Sequence, residues 1–513
     1  MKPHFKRVLV ANRGEIALRI GRTAREMGME WVAVHSDPDR ASLHTRFSDI
    51  AYALGGQTPA QSYLDVGKII TAAKETGAEA IHPGYGFLAE NARFAKAVMD
   101  AGLVWVGPPP RSITDMGDKI TSRQLMAKAG VPIVPGIAEP LADAASAVVA
   151  AQRIGYPIAL KASAGGGGKG IRVVREPAAM ESAFRTASGE AQAAFGDGRM
   201  YLERYLDQPR HVEIQVLFDK HGNGVHLGER ECSIQRRHQK LLEECPSPVV
   251  DAKTRAAMGA AALKAAAAVG YQGAGTVEFL FSKGEFFFLE MNTRLQVEHP
   301  ITEMVTGIDL VREQFRVAAG EPLGYGQEAV VMRGHAIEVR INAEDPTNKF
   351  LPSTGTVMNL RLPGGPWVRL DSALYNGLEV GLNYDPMLAK LIVWGSDRGE
   401  AIERMKRALG EMNVGGVSTG APAALRVLRE PAFVRGDYDT HFLESLDLNQ
   451  DFLGLADVAA IAAAVYRHKL SHRTALQPNA GRRDAWLTRA RRAHTPYPLP
   501  PRNDTSNFRP EGR

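Results

Sequence analysis

The sequence predicts an α/β protein, on three observations. Residues 7–115 alternate short apolar strand signals with amphipathic helix signals, the rhythm of a mostly parallel open sheet. Later runs such as 286–289 (FFFL) are continuously apolar, as strands buried on both faces are. A run of four glycines, Gly165 to Gly168, lies between two further strand-like segments.

Taken in order, residues 7–11 form the first strand. Residues 12–20 turn into a helix with Ile16, Leu18 and Ile20 near its apolar face. Residues 31–34 give the second strand. Residues 80–87 give a strand ending in a glycine-rich turn, and 103–106 another, stopped by the run GPPP at 107–110. No GxGxxG follows the first strand, which argues against a dinucleotide site. The turn at 83–87 belongs at the carboxyl ends of the strands, where open sheets bind ligands.

Asp118 and Lys119 precede a helix through Ala129. Residues 157–161 and 172–174 are strands flanking the glycine run. Residues 201–206 and 212–218 are two more. An alanine-rich helix covers 251–269. Residues 275–281 and 285–291 pair as an antiparallel hairpin around Ser282-Lys-Gly284. Residues 335–395 hold β signals at 335–341, 356–362, 367–370 and 390–394, with Pro/Gly turns between them. A helix covers 401–412. Leu455, Val458, Ile461, Ala462 and Val465 keep helical spacing, and an Arg- and Pro-rich tail follows Ser471.

The whole-chain properties narrow the class. A length of 513 residues suits three or four domains. No run approaches the ~20 apolar residues a membrane span needs, and no secretory signal opens the sequence. Two cysteines, Cys232 and Cys245, make neither a disulfide framework nor a metal quartet, which suits a reduced cytoplasm. Of the Lys/Arg and Asp/Glu residues, 11 and 3 lie in 467–513, leaving 51 and 54 and a net of −3 on the rest. The body therefore lacks the basic surplus of a nucleic-acid binder.

The chemistry gathers at four places. At 289–299 (LEMNTRLQVEH), Glu290, Asn292, Arg294, Gln296 and Glu298 recur at every second position. In an extended chain they would share one face. A straight Glu290–Glu298 segment would span roughly 26 Å, too long for one small site, so it must bend after the strand. The glycine run frees backbone N–H groups to approach an anion, and Lys161 and Lys169 add charge beside it. Its spacing is not that of a Walker A loop. Glu278 and Glu290, on paired strands, can converge on Mg²⁺, with Asn292 offering one more oxygen. Gln235, His238 and Lys240 lie either in a basic surface turn or in a site where they supply groups for a nucleotide's phosphates and ribose.

These residues carry a resemblance. The sequence resembles the biotin carboxylases, ATP-grasp enzymes, over about residues 5–448. The motifs are HPGYGFLAEN (82–91), MGDK (116–119), GGGGKG (165–170), RHVEIQV (210–216) and ERECSIQRRHQKLLEE (229–244). LEMNTRLQVEH (289–299), GHAIEVRINAEDP (334–346) and YDPMLAKLIVWG (384–395) complete them. The resemblance implies a Rossmann-like domain at 1–115 and an ATP-grasp domain at 116–330, with a glycine-rich lid over about 135–205. A β-rich domain at 331–448 and a helical, then basic tail at 449–513 follow.

The resemblance also implies roles. Lys119, Lys161 and Lys240 would hold ATP phosphates, under the loop of Gly166, Gly167, Gly168 and Lys169. Adenine would be read around Glu203, Arg204 and Leu206. His211, Gln235, His238 and His441 would lie near the nucleotide. Glu278, Glu290 and Asn292 would hold Mg²⁺ or Mn²⁺. Arg294, Gln296 and the Val297 backbone would bind bicarbonate, Glu298 would be its base, and Arg340 would stabilise the biotin enolate. Metal with ATP and bicarbonate with its base would then lie in series along one bending segment.

Some positions depart from common family forms. Ile171 stands where Met is frequent, Arg204 where Lys is, and Gly420-Ala-Pro422 where an Asn follows Thr419. Cys232 is expected to be a buried thiol without a redox role. No Ala-Met-Lys-Met biotin-attachment sequence occurs, so biotin is expected on a separate carrier protein, with separate carboxyltransferase subunits. A homodimer is expected, with no nucleic acid and no membrane. Another ATP-grasp ligase, or the corresponding subunit of a pyruvate carboxylase, is the alternative. The tail either docks a partner chain or is a peripheral helix with disorder beyond it.

Overall fold

The computed structural model of the protein describes residues 4–163, 171–236, 239–448 and 456–473. Residues Met1–Leu448 form one compact unit and Asn449–Arg513 a second.

The first unit opens with β1 (Arg7–Val10), β2 (Glu30–His35), β3 (Ile50–Ala53), β4 (Ala80–His82) and β5 (Val104–Trp105). They make an all-parallel sheet in the order β3-β2-β1-β4-β5. Val8, Leu9 and Val10 are fully buried, as expected of a strand covered on both faces. β3 is absent from the sequence reading. It is an edge strand whose alternate residues, Ile50 and Tyr52, are only half-buried, so its run is too short and mixed to stand out.

The helix Gly14–Glu26 buries Ile16, Leu18 and Ile20, but also Glu15, Ala17 and Arg19. It packs against β2, the strand Val368–Ser372 and the helix Leu310–Ala318, which leaves little of it to solvent. Gly21 lets it approach closely: a Cβ there would lie 2.5 Å from the Trp31 ring. The proline run does end β5, but it also starts a helix, Pro110–Gly117, that the sequence reading lacks. Proline is tolerated there because the first helical N–H has no intrahelical partner. The helix Lys119–Lys128 follows, capped by the Asp118 carboxylate, which accepts from the Thr121 amide at 2.7 Å.

Strands β6 (Gly136–Leu141), β7 (Ile158–Ala162), β8 (Ile171–Val174) and β9 (Met200–Arg204) form an antiparallel sheet in the order β6-β9-β7-β8. The glycine run joins β7 to β8. Gly166, Gly167, Gly168 and Lys169 lie outside the described residues, as does His238.

The largest sheet has eight strands. They are β10 (Arg210–Phe218), β11 (Gly224–Arg236), β12 (Gln239–Cys245), β13 (Gly273–Ser282), β14 (Glu285–Asn292), β15 (His335–Asn342), Val368–Ser372 and Met387–Gly395. Their order is β14-β13-β10-β11-β12-β15, then Met387–Gly395, then Val368–Ser372. The expected β13/β14 hairpin forms, with Glu278 directly opposite Glu290 and Thr276 opposite Asn292. Lys283 and Gly284 at its tip take φ of 52° and 82°, the left-handed pair that matches hairpin twist. The alanine-rich helix runs Ala252–Ala268, capped by Asp251. Gly420-Ala-Pro422 opens the helix Ala421–Arg429, where Pro again fits the first turn.

One buried cluster ties β12 to the C-terminal region. The Glu244 carboxylate takes His335 at 2.7 Å, Arg398 at 2.7 and 3.0 Å, and the Tyr438 hydroxyl. Burial would raise its pKa, but His335 and then Arg398 lower it to about 2. A carboxyl lowered by folding stabilises fully above its unfolded pKa near ~4.3 and loses that contribution as pH falls through the folded value. Glu244→Gln should therefore cost about 3 kcal/mol at neutral pH and flatten the loss of stability below pH ~4. Urea unfolding midpoints from neutral to acid pH check this; an unchanged pH profile would contradict it.

In the second unit, the helix Ala456–Arg473 occupies the place of the predicted helical spacing. Ile461 and Val465 are 65% and 49% exposed. The basic, Pro-rich stretch beyond Arg473 lies outside the described residues. Among the described residues, no helix is long and apolar enough to cross a membrane.

Candidate active site

β14 carries its buried apolar lead into the site and ends at Asn292. The chain then bends, and Glu298 immediately precedes the helix His299–Thr306. The bend that the length argument demands is present, but its effect differs from the expectation of two sites in series. Asn292 and Gln296 both donate to one oxygen of Glu278, at 2.7 and 2.8 Å. The bend folds the two ends of the segment onto the same carboxylate.

Lys240, on β12, is the centre of charge. Its ammonium lies 2.6 Å from Glu213, 2.5 Å from Glu298 and 3.5 Å from Glu278. Arg340, on β15, reaches Glu298 at 3.0 Å and Glu243 at 2.7 Å. Burial pushes the Glu298 pKa up, but Lys240, Arg340 and Arg230 hold it well below the usual carboxylate range. Glu298 is therefore ionised at neutral pH. Burial raises the pKa of Glu243, the second partner of Arg340, to about 7; Arg340 opposes that rise and Glu298 adds to it.

The metal expectation can be tested on the donors. Glu278 and Glu290 face each other across an antiparallel pair, an arrangement that like charges destabilise. Glu290 opens onto the cavity, with 39% of its side chain accessible, yet lies deep enough that burial and then Glu278 raise its pKa. Lys119 stands 3.7 Å from it. Two carboxylates opposite each other beside cationic side chains fit a divalent cation that also takes phosphate oxygens, although Asn292, Gln296 and His211 already engage the Glu278 oxygens. Asn292 fits less directly: its oxygen accepts from Arg294 at 3.0 Å and its nitrogen faces Glu278.

The residues expected near the nucleotide are positioned by other elements. Lys161, on β7, forms an ion pair with Glu203 of β9, and Arg123 pairs with the same carboxylate. The Glu203 side chain is thus committed to two cations. His211, on β10, lies 2.8 Å from Glu278; burial lowers its pKa most and Lys240 lowers it further, but the charge and hydrogen bond of Glu278 together with Glu213 give a net increase. Arg294 bonds Glu90 at 2.8 Å.

A single cavity of about 590 Å³ collects these groups. Lys119, Lys161, Glu203, Arg204, Leu206, His211, Gln235 and His441 line it. So do Lys240, Glu278, Glu290, Asn292, Arg294, Gln296, Val297, Glu298 and Arg340. A second cavity of about 520 Å³ shares Gln239, Lys240, Arg294, Val297 and Arg340 and is otherwise lined by groups such as Asn12, Tyr85, Phe87 and Tyr384. Tyr85 and Phe87 follow the carboxyl end of β4, where the sequence reading puts a ligand turn. Cys232 is fully buried, and burial holds its thiol protonated, far above the usual range.

Sequence reasoning missed a supporting layer. Arg230 is fully buried and spends its whole guanidinium on Glu213, Gln215, Thr276, Thr302 and Gln296. Glu213, Glu243 and Lys390 were missed as well. The available signal was charge inside apolar strand runs, as in 210–218 (RHVEIQVLF), where an ionised residue needs a partner.

The sequence matches the family described as "Biotin carboxylase, N-terminal domain" over residues 4–113. It matches "Carbamoyl-phosphate synthase L chain, ATP binding domain" over 118–325 and "Biotin carboxylase C-terminal domain" over 338–445. Biotin carboxylase of Nostoc is 51% identical over 444 residues, covering 86% of this chain and 99% of its own. A pyruvate carboxylase subunit from Methanothermobacter thermautotrophicus is 50% identical over 489 residues, covering 91% of this chain and 100% of that protein. The Campylobacter jejuni biotin carboxylase–βγ-ATP complex aligns with a TM-score of 0.84 at 46% identity, over 86% of this chain and 99% of that one. The biotin carboxylase domain of Hydrogenobacter thermophilus 2-oxoglutarate carboxylase, a dimer with MgADP, ADP and bicarbonate, aligns at 0.83 and 47%, over 86% and 97%. With its three regions matched in order and about half of the aligned residues identical to those of relatives covered almost end to end, the chain belongs to the biotin carboxylase family and is an ATP-dependent enzyme that carboxylates biotin.

Proposed function

We propose that the chain carries out the first half-reaction of an acyl-CoA carboxylase, carboxylating biotin carried on a separate carrier protein by way of carboxyphosphate. The observation that carries the assignment of roles is Glu298, an ionised carboxylate held between Lys240 and Arg340 in the cavity that Glu278 and Glu290 also line. Residues 1–115, 116–330 and 331–448 serve as the Rossmann-like, ATP-grasp and C-terminal domains. The β6–β9 sheet and the glycine loop form the lid over ATP. The site works in the cytoplasm of the cell, in a homodimer.

Lys119, Lys161 and Lys240 hold the phosphates, and Arg204, Leu206, His211, Gln235, His238 and His441 surround the nucleoside. Glu278 and Glu290, with Asn292 beside them, hold Mg²⁺ or Mn²⁺, which when bound neutralises phosphate charge. Arg294, Gln296 and the Val297 backbone seat bicarbonate. Glu298 takes its proton, a bicarbonate oxygen attacks the γ-phosphorus, and the bond to ADP breaks. The carboxyphosphate divides into CO₂ and phosphate. Phosphate takes the ureido proton, the ureido nitrogen bonds CO₂, and Arg340 stabilises the developing biotin oxyanion.

The test is ADP release by the purified protein. It should require both bicarbonate and free biotin, fall to background with excess EDTA, and return with Mg²⁺ or Mn²⁺. Turnover without bicarbonate, or only with an added amine, would point to another ATP-grasp ligase. The final acceptor, an acyl-CoA or pyruvate, is identified by the carboxyltransferase that co-purifies with the chain.

A further inference from the structure

Two fully buried residues that line neither cavity touch the backbone of the bicarbonate segment. His299 places its Nδ1 2.7 Å from the Gln296 carbonyl oxygen. Lys390, on the strand Met387–Gly395, places its ammonium 2.9 Å from the Val297 carbonyl oxygen. These are successive carbonyls. Each must accept, so each side chain donates. In a planar trans peptide the carbonyl and the following N–H point in opposite directions. Fixing the Gln296 carbonyl toward His299 turns the Val297 N–H the other way. Fixing the Val297 carbonyl toward Lys390 does the same for the Glu298 N–H.

We propose that His299 and Lys390 are positioning residues that pin these two carbonyls at the back of the site and thereby aim the Val297 amide at bicarbonate. The inference rests on the reading of Val297 as a bicarbonate contact. Neither side chain can drift from its task. Burial, and then the charge of Lys390, hold the His299 pKa well below its ordinary value, so the ring is neutral with its proton on Nδ1. Lys390 is held from behind by Glu15 at 3.4 Å and Asp371 at 3.9 Å. An amide so fixed needs no reorganisation when the anion arrives, which is the condition for electrostatic stabilisation by backbone donors.

The experiment is steady-state ADP release by the full-length protein, with bicarbonate and ATP varied separately. His299→Leu and Lys390→Met remove the side-chain donors, leaving the Gln296 carbonyl only the longer 3.3 Å bond from the His299 backbone N–H. Each should raise KM for bicarbonate about tenfold or more and leave KM for ATP within about twofold. His299→Asn, whose Nδ2 replaces Nδ1, should restore most of the bicarbonate affinity. Lys390→Met strands Glu15 and Asp371, so a misfolded variant leaves the two His299 variants to decide. The inference is overturned if His299→Leu keeps the wild-type KM for bicarbonate, if both KM values rise together, or if His299→Asn restores nothing. Wild-type turnover that ignores bicarbonate would instead overturn the assigned function.

Discussion

Glu298→Gln should lower bicarbonate-dependent ATP cleavage by about 10²–10⁴-fold, the usual worth of a positioned base. Nucleotide affinity should change far less than turnover, because Lys119 and Lys161 pair with Glu290 and Glu203 and only Lys240 of the three phosphate lysines touches Glu298. The substitution keeps the shape and removes only the negative charge and the basicity. A carboxylate with so low a pKa is a weak base on its own. Its action depends on the partners it shares: as Glu298 takes the proton, Lys240 and Arg340 lose an anion and the new carbonate dianion can replace it on the same two cations. Coupled ATPase assays with nucleotide titrations check this. Undiminished turnover would remove Glu298 from the role of base.

Arg230→Leu should destabilise the protein by about 3–5 kcal/mol, the cost of removing one partner from a buried ion pair. The fork of Arg230 satisfies Glu213, Gln215, Thr276, Thr302 and Gln296 with no solvent access. A leucine leaves these groups buried without their donor and fills only part of the space. Arg230→Lys should recover less than half of the loss, since a point charge cannot reach partners spread around a planar fork. Urea midpoints measure both. A loss below ~1 kcal/mol in Arg230→Leu would mean the network relaxes around the gap.

Much of this was legible in the sequence because the signals were local. The parallel sheet announced itself through βαβ rhythm, and the β13/β14 hairpin through its turn residues and apolar flanks. The bend after Asn292 followed from strand length alone. The spacing rule could not show where the bent chain goes, and Gln296 returning to Glu278 depends on Arg230 gripping the amide oxygen from a strand 66 residues away in sequence. The edge strand β3 and the helix Pro110–Gly117 were too short or too proline-rich for periodicity to register. Glu213, Glu243 and Lys390 looked like ordinary charges because their partners come from distant strands.

The eight-stranded sheet carries Glu290 and Glu278 at one edge and runs without a break through the strands of Glu213, Arg230, Lys240, Arg340 and Lys390. Glu278, Glu290, Lys240 and Arg340, which are assigned to metal, phosphate and biotin, therefore hang from one hydrogen-bonded ribbon. The carboxylates expected at the metal and the cations around Glu298 therefore share one framework, so loosening β12 would disturb Lys240 and its contacts to Glu213, Glu278 and Glu298 together.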